Sequence, residues 1–197
     1  SFKNIGVVGL GIGSIAAYGR PGQAMDFYEL DPDVELLARN YFRYLNDSKA
    51  AIRVVTGDAR LSLLRADDAG YDLLVLDAFS SDAVPIHLLT QEAFELYLKK
   101  MKPGGVIACH ISSRFLDLKP ILAAAAETLG LHGASKAAGA KEIAENEIMS
   151  QWVVLSADPA KINRLTEELG WTDLKKSARG VKVWTDRHAS LLPALGF

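Results

Sequence analysis

The amino-acid sequence predicts an α/β fold, a doubly wound and mostly parallel sheet of seven strands, and two observations lead there. Short apolar, β-branched runs alternate with amphipathic stretches along most of the chain, the order that makes strand–helix–strand units with right-handed crossovers. The middle runs are continuously apolar, as strands buried on both faces require. Strands are expected at NIGVVG (4–9), AMDFYEL (24–30), IRVVTG (52–57), YDLLVLD (71–77), GVIACHI (105–111), QWVVLS (151–156) and GVKVWT (180–185).

Helices are expected between them. After Asp31 the residues Val34, Leu37, Ala38, Tyr41, Phe42 and Leu45 recur three and four apart. Asp31 suits the N-cap and Pro32 the first helical position. Further helical stretches cover 58–66, 90–101, 120–129 and 159–169. The small-residue segment HGASKAAGAKEIAENE (132–147) reads as a mobile loop or weak helix.

Length and composition limit the function. The chain has 197 residues, 49% of them hydrophobic and 23% charged, enough for one α/β domain with a full core. Lys and Arg number 22 against 24 Asp and Glu, a formal charge of −2, so no field draws in a polyanion and nucleic acid is not an expected partner. The lone Cys109 forms no intrachain disulfide, which fits a reducing, cytoplasmic setting. Histidines 87, 110, 132 and 188 lack metal-ligand spacing, so no metal is expected. No run approaches the length of a membrane span, and strand-like sequence begins by Ile5, which leaves no visible signal peptide. Position 1 is Ser rather than Met, consistent with an upstream segment.

In such a sheet, ligands sit in the crevice beyond the carboxyl ends of the strands. Gly9, Gly11 and Gly13 lie where the first strand turns into a helix, so a ligand can approach the backbone closely. Glu29 ends the second strand, placed to accept both hydroxyls of an adenosine ribose; surface solvation or capping is the alternative. Leu30 is an apolar contact for the purine face. Asp58 suits the adenine amino group and the Ala59 backbone its ring edge, although Asp58 equally suits a helix N-cap. These loops describe an adenosine-containing cofactor. A dinucleotide is the rival reading, weakened by Ser14 where that fingerprint wants a third glycine.

The segments GLGIGSIAAYGRPG, FYELDP, GDARLSLL, YDLLVLDAFSSDAVPIHLLTQEAFELYLKKMKPGGVIACHIS and WTDRHASLLP resemble the class I methyltransferase fold, and more closely the spermidine synthase-like family of aminopropyltransferases. Ordinary methyltransferases usually carry an acid two places before the first loop glycine, where this chain has Val7. The resemblance implies that Gly9, Gly11, Gly13, Glu29, Asp58 and Ala59 bind S-adenosylmethionine or its decarboxylated form, and that Asp77 and Asp82 hold an amine or polyamine acceptor. It also makes a homodimer an expectation. The chemistry suits paired carboxylates: an alkyl amine with a pKa near ~10.4 is protonated at neutral pH and cannot attack a sulfonium carbon. A carboxylate binds the ammonium, orients it and accepts or relays its proton. Backbone bonding by Asp77 and turn-capping by Asp82 are the structural alternatives. His110 stays outside the expected site, as a packing residue.

The chain departs from the family in three places. DAFSSDAVP spreads the two aspartates further apart than a spermidine synthase has them, and Arg187 and His188 follow Thr185 and Asp186 where an acid and an aromatic are common. Nothing before Ile5 supplies the family's small N-terminal β-domain, so 1–197 is expected to be a single methyltransferase-fold domain. A methyltransferase and a non-catalytic nucleoside-binding domain of a larger chain stay open beside the aminopropyltransferase.

Overall fold

In the computed structural model, residues 2–78, 85–113, 116–137, 150–178 and 180–194 are described. They form two compact units. The first takes the chain up to Ala78 together with Leu96–Gly105; the second takes the chain up to Glu95 and from Val106 on.

The first unit is built on four strands in the order β3-β2-β1-β4: β1 (Asn4–Val8), β2 (Ala24–Glu29), β3 (Ala51–Thr56) and β4 (Tyr71–Leu76). All pair in parallel, with Val8 opposite Tyr28 on one side and opposite Leu76 on the other. β1 is central, and Ile5, Val7 and Val8 are buried together with Phe27, Leu74 and Leu76. Their burial supplies the apolar driving force, about 1.5–3 kcal/mol for each large side chain. The chain winds outward from β1 to β2 and β3, then returns to β4 on the far side. That reversal marks the point where ligands bind in open α/β sheets.

The connections carry the expected caps with altered extents. Asp31 accepts from the Asp33 N–H and Pro32 opens α1 (Pro32–Tyr41). The periodic stretch does not continue to Leu45 as one helix: the backbone turns extended at Phe42 and resumes as α2 (Tyr44–Asp47). The break lets buried Leu45 pack beneath Gly13, while Leu37 and Tyr41, expected on the core face, are exposed. Ala59–Arg65 is α3. The glycine turn leads into a five-residue 3-10 turn, Ser14–Tyr18, instead of an α-helix.

The second unit pairs its strands antiparallel in the order β5-β7-β6-β8: β5 (Met101–His110, its first half in the first unit), β7 (Gln151–Ser156), β6 (His132–Ala137) and β8 (Thr172–Asp173). Its helices are α5 (Lys119–Thr128) and α6 (Pro159–Glu168), and α4 (Gln91–Lys100) runs from this unit into the first. α5 is buried from Pro120 to Ala126, a core helix apolar on all sides.

Among the described residues eight strands thus replace the expected seven: β6 and the two-residue β8 are gained and 180–185 is lost. Of the segment 132–147, His132–Ala137 is a strand, not a loop or weak helix, and the rest lies outside the described residues; the strand's small residues reflect close packing, since a Cβ on Gly133 would lie 2.7 Å from Leu174 and 2.8 Å from Leu155 side-chain carbons. Conversely, 180–185 forms no strand. Its alternating valines line a cavity against α5, and Trp184 is buried with its indole N–H donating to the Ser190 carbonyl at 2.9 Å.

Candidate functional site

Backbone hydrogen bonds join the carboxyl ends of the first unit's strands. The Gly9 N–H donates to the Tyr28 carbonyl at 2.9 Å, Gly57 N–H to Glu29 at 2.8 Å, and Asp77 N–H to Val8 at 2.8 Å. Gly9, Glu29, Asp58 and Asp77 therefore stand at, or one step beyond, the ends of neighbouring strands. Glu29 reinforces this arrangement: one carboxylate oxygen accepts from the Leu10 N–H at 2.9 Å, the other from the Asp31 N–H at 3.0 Å. It is therefore engaged by two amides. A carboxylate has about four lone-pair sites, so capacity for hydroxyl donors remains.

The three glycines have different physical reasons. All have positive φ, 94° at Gly9, 52° at Gly11 and 80° at Gly13, where a side chain is strained. At Gly9 a Cβ would lie 2.4 Å from the Asp77 carbonyl oxygen, so this glycine admits the loop after β4. At Gly13 it would lie 2.9 Å from Leu45 carbons. At Gly11 it would meet nothing within 4 Å; this is the position whose open space suits close approach by a ligand. Sequence spacing alone treats the three as equivalent.

Asp58 caps α3, accepting from the Leu61 N–H at 2.8 Å, so the capping alternative is realised through that oxygen. Ala59 is buried in the first helical turn, and Leu30 is 71% exposed. Asp77 is part-buried at the end of β4; Asp82 lies outside the described residues. The four segments 9–13, 29–31, 57–59 and 77–78 hold Glu29, Asp31, Asp58 and Asp77 and no cation.

His110, in the second unit, is held as a packing residue. Its ring stacks on Trp152 at 4.8 Å between centroids, and Nε2 shares a 2.7 Å hydrogen bond with the Ser112 hydroxyl, which also accepts from the Gln151 N–H. Burial pushes the Cys109 thiol up to about 12, which leaves it protonated and unreactive. The second unit also has cavities of about 440 and 290 Å³ against α5. Neither is lined by a residue of the strand-end set, so topology and not cavity size identifies the candidate site. Among the described residues, no group of His, Cys, Asp and Glu could hold a metal, and no helix is long and apolar enough to cross a membrane.

No family model matches the chain. A polyamine aminopropyltransferase of Vibrio vulnificus (strain CMCP6) is 37% identical over 116 residues, covering 56% of this chain and 38% of that protein. Putrescine N-methyltransferase 3 of Nicotiana tabacum is 28% identical over 98 residues, covering 49% and 26%. A probable spermidine synthase structure from Corynebacterium glutamicum ATCC 13032 aligns with a TM-score of 0.71 at 19% identity, over 96% of this chain and 74% of that one. The chain spans less than two fifths of the length of either curated relative. The resemblance to the spermidine synthase-like family and the α/β fold it implied are borne out by these likenesses.

Proposed function

We propose that the strand-end site of the first unit binds an adenosyl sulfonium donor and that the chain transfers an aminopropyl group from it to an amine or polyamine. One observation carries the reading. Where the strand order reverses between β1 and β4, the open glycine Gly11, the amide-anchored carboxylate of Glu29 and the aspartate Asp77 meet on adjoining strand ends. Glu29 would take the ribose hydroxyls, Leu30 the purine face, the Gly9–Gly13 turn the sulfonium side chain, and Asp58 with the Ala59 backbone the adenine edge. A pyrophosphate would want the N-terminus of a full helix, and the 3-10 turn after Gly13 offers none; a sulfonium needs none.

Charge favours the decarboxylated donor. Its sulfonium and protonated amine are both cationic, whereas S-adenosylmethionine adds a carboxylate that four nearby carboxylates and no cation in the same segments would repel. Asp77, with Asp82 as its expected partner, would hold the acceptor ammonium and relay its proton to water. The freed nitrogen lone pair forms the new C–N bond as the C–S bond breaks, its electron pair staying on sulfur to give a neutral thioether. General-base help of this kind is worth roughly 10²- to 10⁴-fold.

Likeness to a putrescine N-methyltransferase supports a second reading, methyl transfer to an amine at the same site. Calorimetric titration with S-adenosylmethionine, its decarboxylated form, methylthioadenosine and NAD, followed by mass analysis of products on putrescine, separates these. Tighter binding of the decarboxylated donor and an aminopropylated product are expected; a methylated product selects the second reading. Preference for NAD overturns the cofactor, and silence towards all four ligands leaves a non-catalytic domain.

A further inference from the structure

The first helix of the first unit leaves apolar surface uncovered where its sequence pattern calls for burial. Leu37 and Tyr41 recur four apart on α1, the spacing of one helical stripe. Yet they are 52% and 76% exposed, and Leu36 beside them is 58% exposed. The apolar surface continues past the break at Phe42, whose ring stacks on Tyr44 at 6.5 Å between centroids; both rings keep more than a third of their surface exposed. The base beneath is fixed: Leu45 of α2 packs under Gly13, and the Ser48 hydroxyl donates to the Ala16 carbonyl at 2.7 Å. These five neighbouring side chains expose roughly 500 Å² of mostly apolar surface, a size at which a patch is often functional.

Charge selects the occupant. α1 carries Asp33 and Glu35 in its first turn and Arg39 in its last, and Arg43 follows at the start of α2. Two such helices laid antiparallel set the acidic end of each against the basic end of the other, so the face is complementary to its own copy. An anionic lipid surface or a nucleic acid would find no surplus positive charge there, because Arg39 is paired with Glu35 at 2.8 Å and Arg43 with Asp47 at 3.0 Å. We infer that the α1–α2 face docks a second copy of this chain about a two-fold axis near Arg39, with Leu37 of each copy against Tyr41 of the other. Such pairing is isologous and closes at two copies. The five apolar side chains form its core, and the exposed Arg39, Asn40 and Arg43 add a polar rim that extends the area towards the ~800 Å² per partner of a stable dimer.

The test is sedimentation velocity of the 197-residue chain from about 1 to 100 µM, where dimer is expected to predominate above roughly 10 µM. Leu37→Glu and Tyr41→Lys each place two unpaired charges in the interface and are expected to raise the dimer Kd at least about 100-fold. Leu169→Glu, the same kind of change at an exposed leucine of the second unit, should leave it within about threefold. Urea midpoints measured below the dimer Kd should match wild type for all three, since each site is exposed. Mixing Leu37→Glu with Tyr41→Lys should restore association, because in the mixed pair the new carboxylate and ammonium oppose one another and the second contact is wild type. A wild type that stays monomeric to about 100 µM or assembles beyond two copies overturns the inference. So does a dimer that neither variant weakens, an equal loss in Leu169→Glu, or a mixture that stays monomeric.

Discussion

A methyl group on Gly9 would sit 2.4 Å from the carbonyl oxygen of Asp77, whereas the same group on Gly11 would meet open space. The two alanine substitutions should therefore separate folding from binding. Gly9→Ala adds overpacking to left-handed strain and is expected to cost roughly 2–5 kcal/mol in urea denaturation. Gly11→Ala carries the strain alone, about 1 kcal/mol, but places a methyl group in the proposed ligand approach, so donor affinity by calorimetry should fall at least tenfold, by order of magnitude. Equal destabilisation of both variants, or donor binding unaffected in Gly11→Ala, would contradict the division. Sequence reading found all three glycines, because positive φ at a strand-to-loop turn leaves a residue-type signature. It could not tell which served packing, because the occupants of the space, Asp77 and Leu45, are distant in sequence.

Elements were legible where one force dominated. β1 and β4 are nearly continuous apolar runs that appear within a residue or two of their expected places, because burial on both faces leaves little alternative; β3, an edge strand with no fully buried residue, was legible from its β-branched residues instead. β6 was hidden, since close contact with Leu155 and Leu174 selects Gly and Ala over β-branched residues. Gly133→Val should show this directly: it raises strand propensity, yet is expected to destabilise by roughly 1–3 kcal/mol in urea melts through overpacking. α3 depends on a residue from another element. Lys100 of α4, 3% exposed, places its ammonium 2.7 Å from the Ala66 carbonyl, 3.3 Å from Leu64 and 2.7 Å from Asp68 Oδ1, answering carbonyls at the helix's C-terminal end. That hydrogen bond is the main cause holding the Asp68 carboxyl below its usual range, against some desolvation and with help from Lys99. Lys100→Met keeps the stem and removes the donor; a loss of about 1–3 kcal/mol, with faster exchange at α3 amides, is expected.

For the molecule as a whole, the candidate site was legible because its residues cluster at strand ends in a few short segments, while the hydrogen bond from the Thr90 hydroxyl to Asp186 was not, since no local pattern announces a contact across almost half the chain. The same long-range polar contacts set the pH range of stability. Asp72 accepts from the Lys3 and Asn4 amides and from Lys102 at 3.1 Å, linking the amino ends of β1, β4 and β5. Burial pushes its carboxyl up, but the two amides and the ammonium outweigh it and hold it below the usual carboxylate range. A lowered pKa means that the unfolded chain binds more protons on acidification, so Asp72's contribution is present above about pH 4 and lost as pH falls through the folded value. At the alkaline end, Tyr71 donates to Asp26 at 2.7 Å and pairs with the Tyr28 hydroxyl at 2.5 Å. Burial, these bonds and the nearby Asp26 charge raise the Tyr71 phenol far above its ordinary value, and burial is also the main cause raising Tyr28. A raised phenol pKa has the opposite sign: its contribution is intact below about pH 10 and falls beyond it by about 1.4 kcal/mol per pH unit for each such group. Urea midpoints measured from pH 3 to 11 should therefore show a plateau with two falling limbs. Asp72→Asn should lower the plateau and flatten only the acid limb, and Tyr71→Phe should lower it and flatten only the alkaline one. If either variant left its own limb as steep as in the wild type, that pH dependence would have to come from other groups.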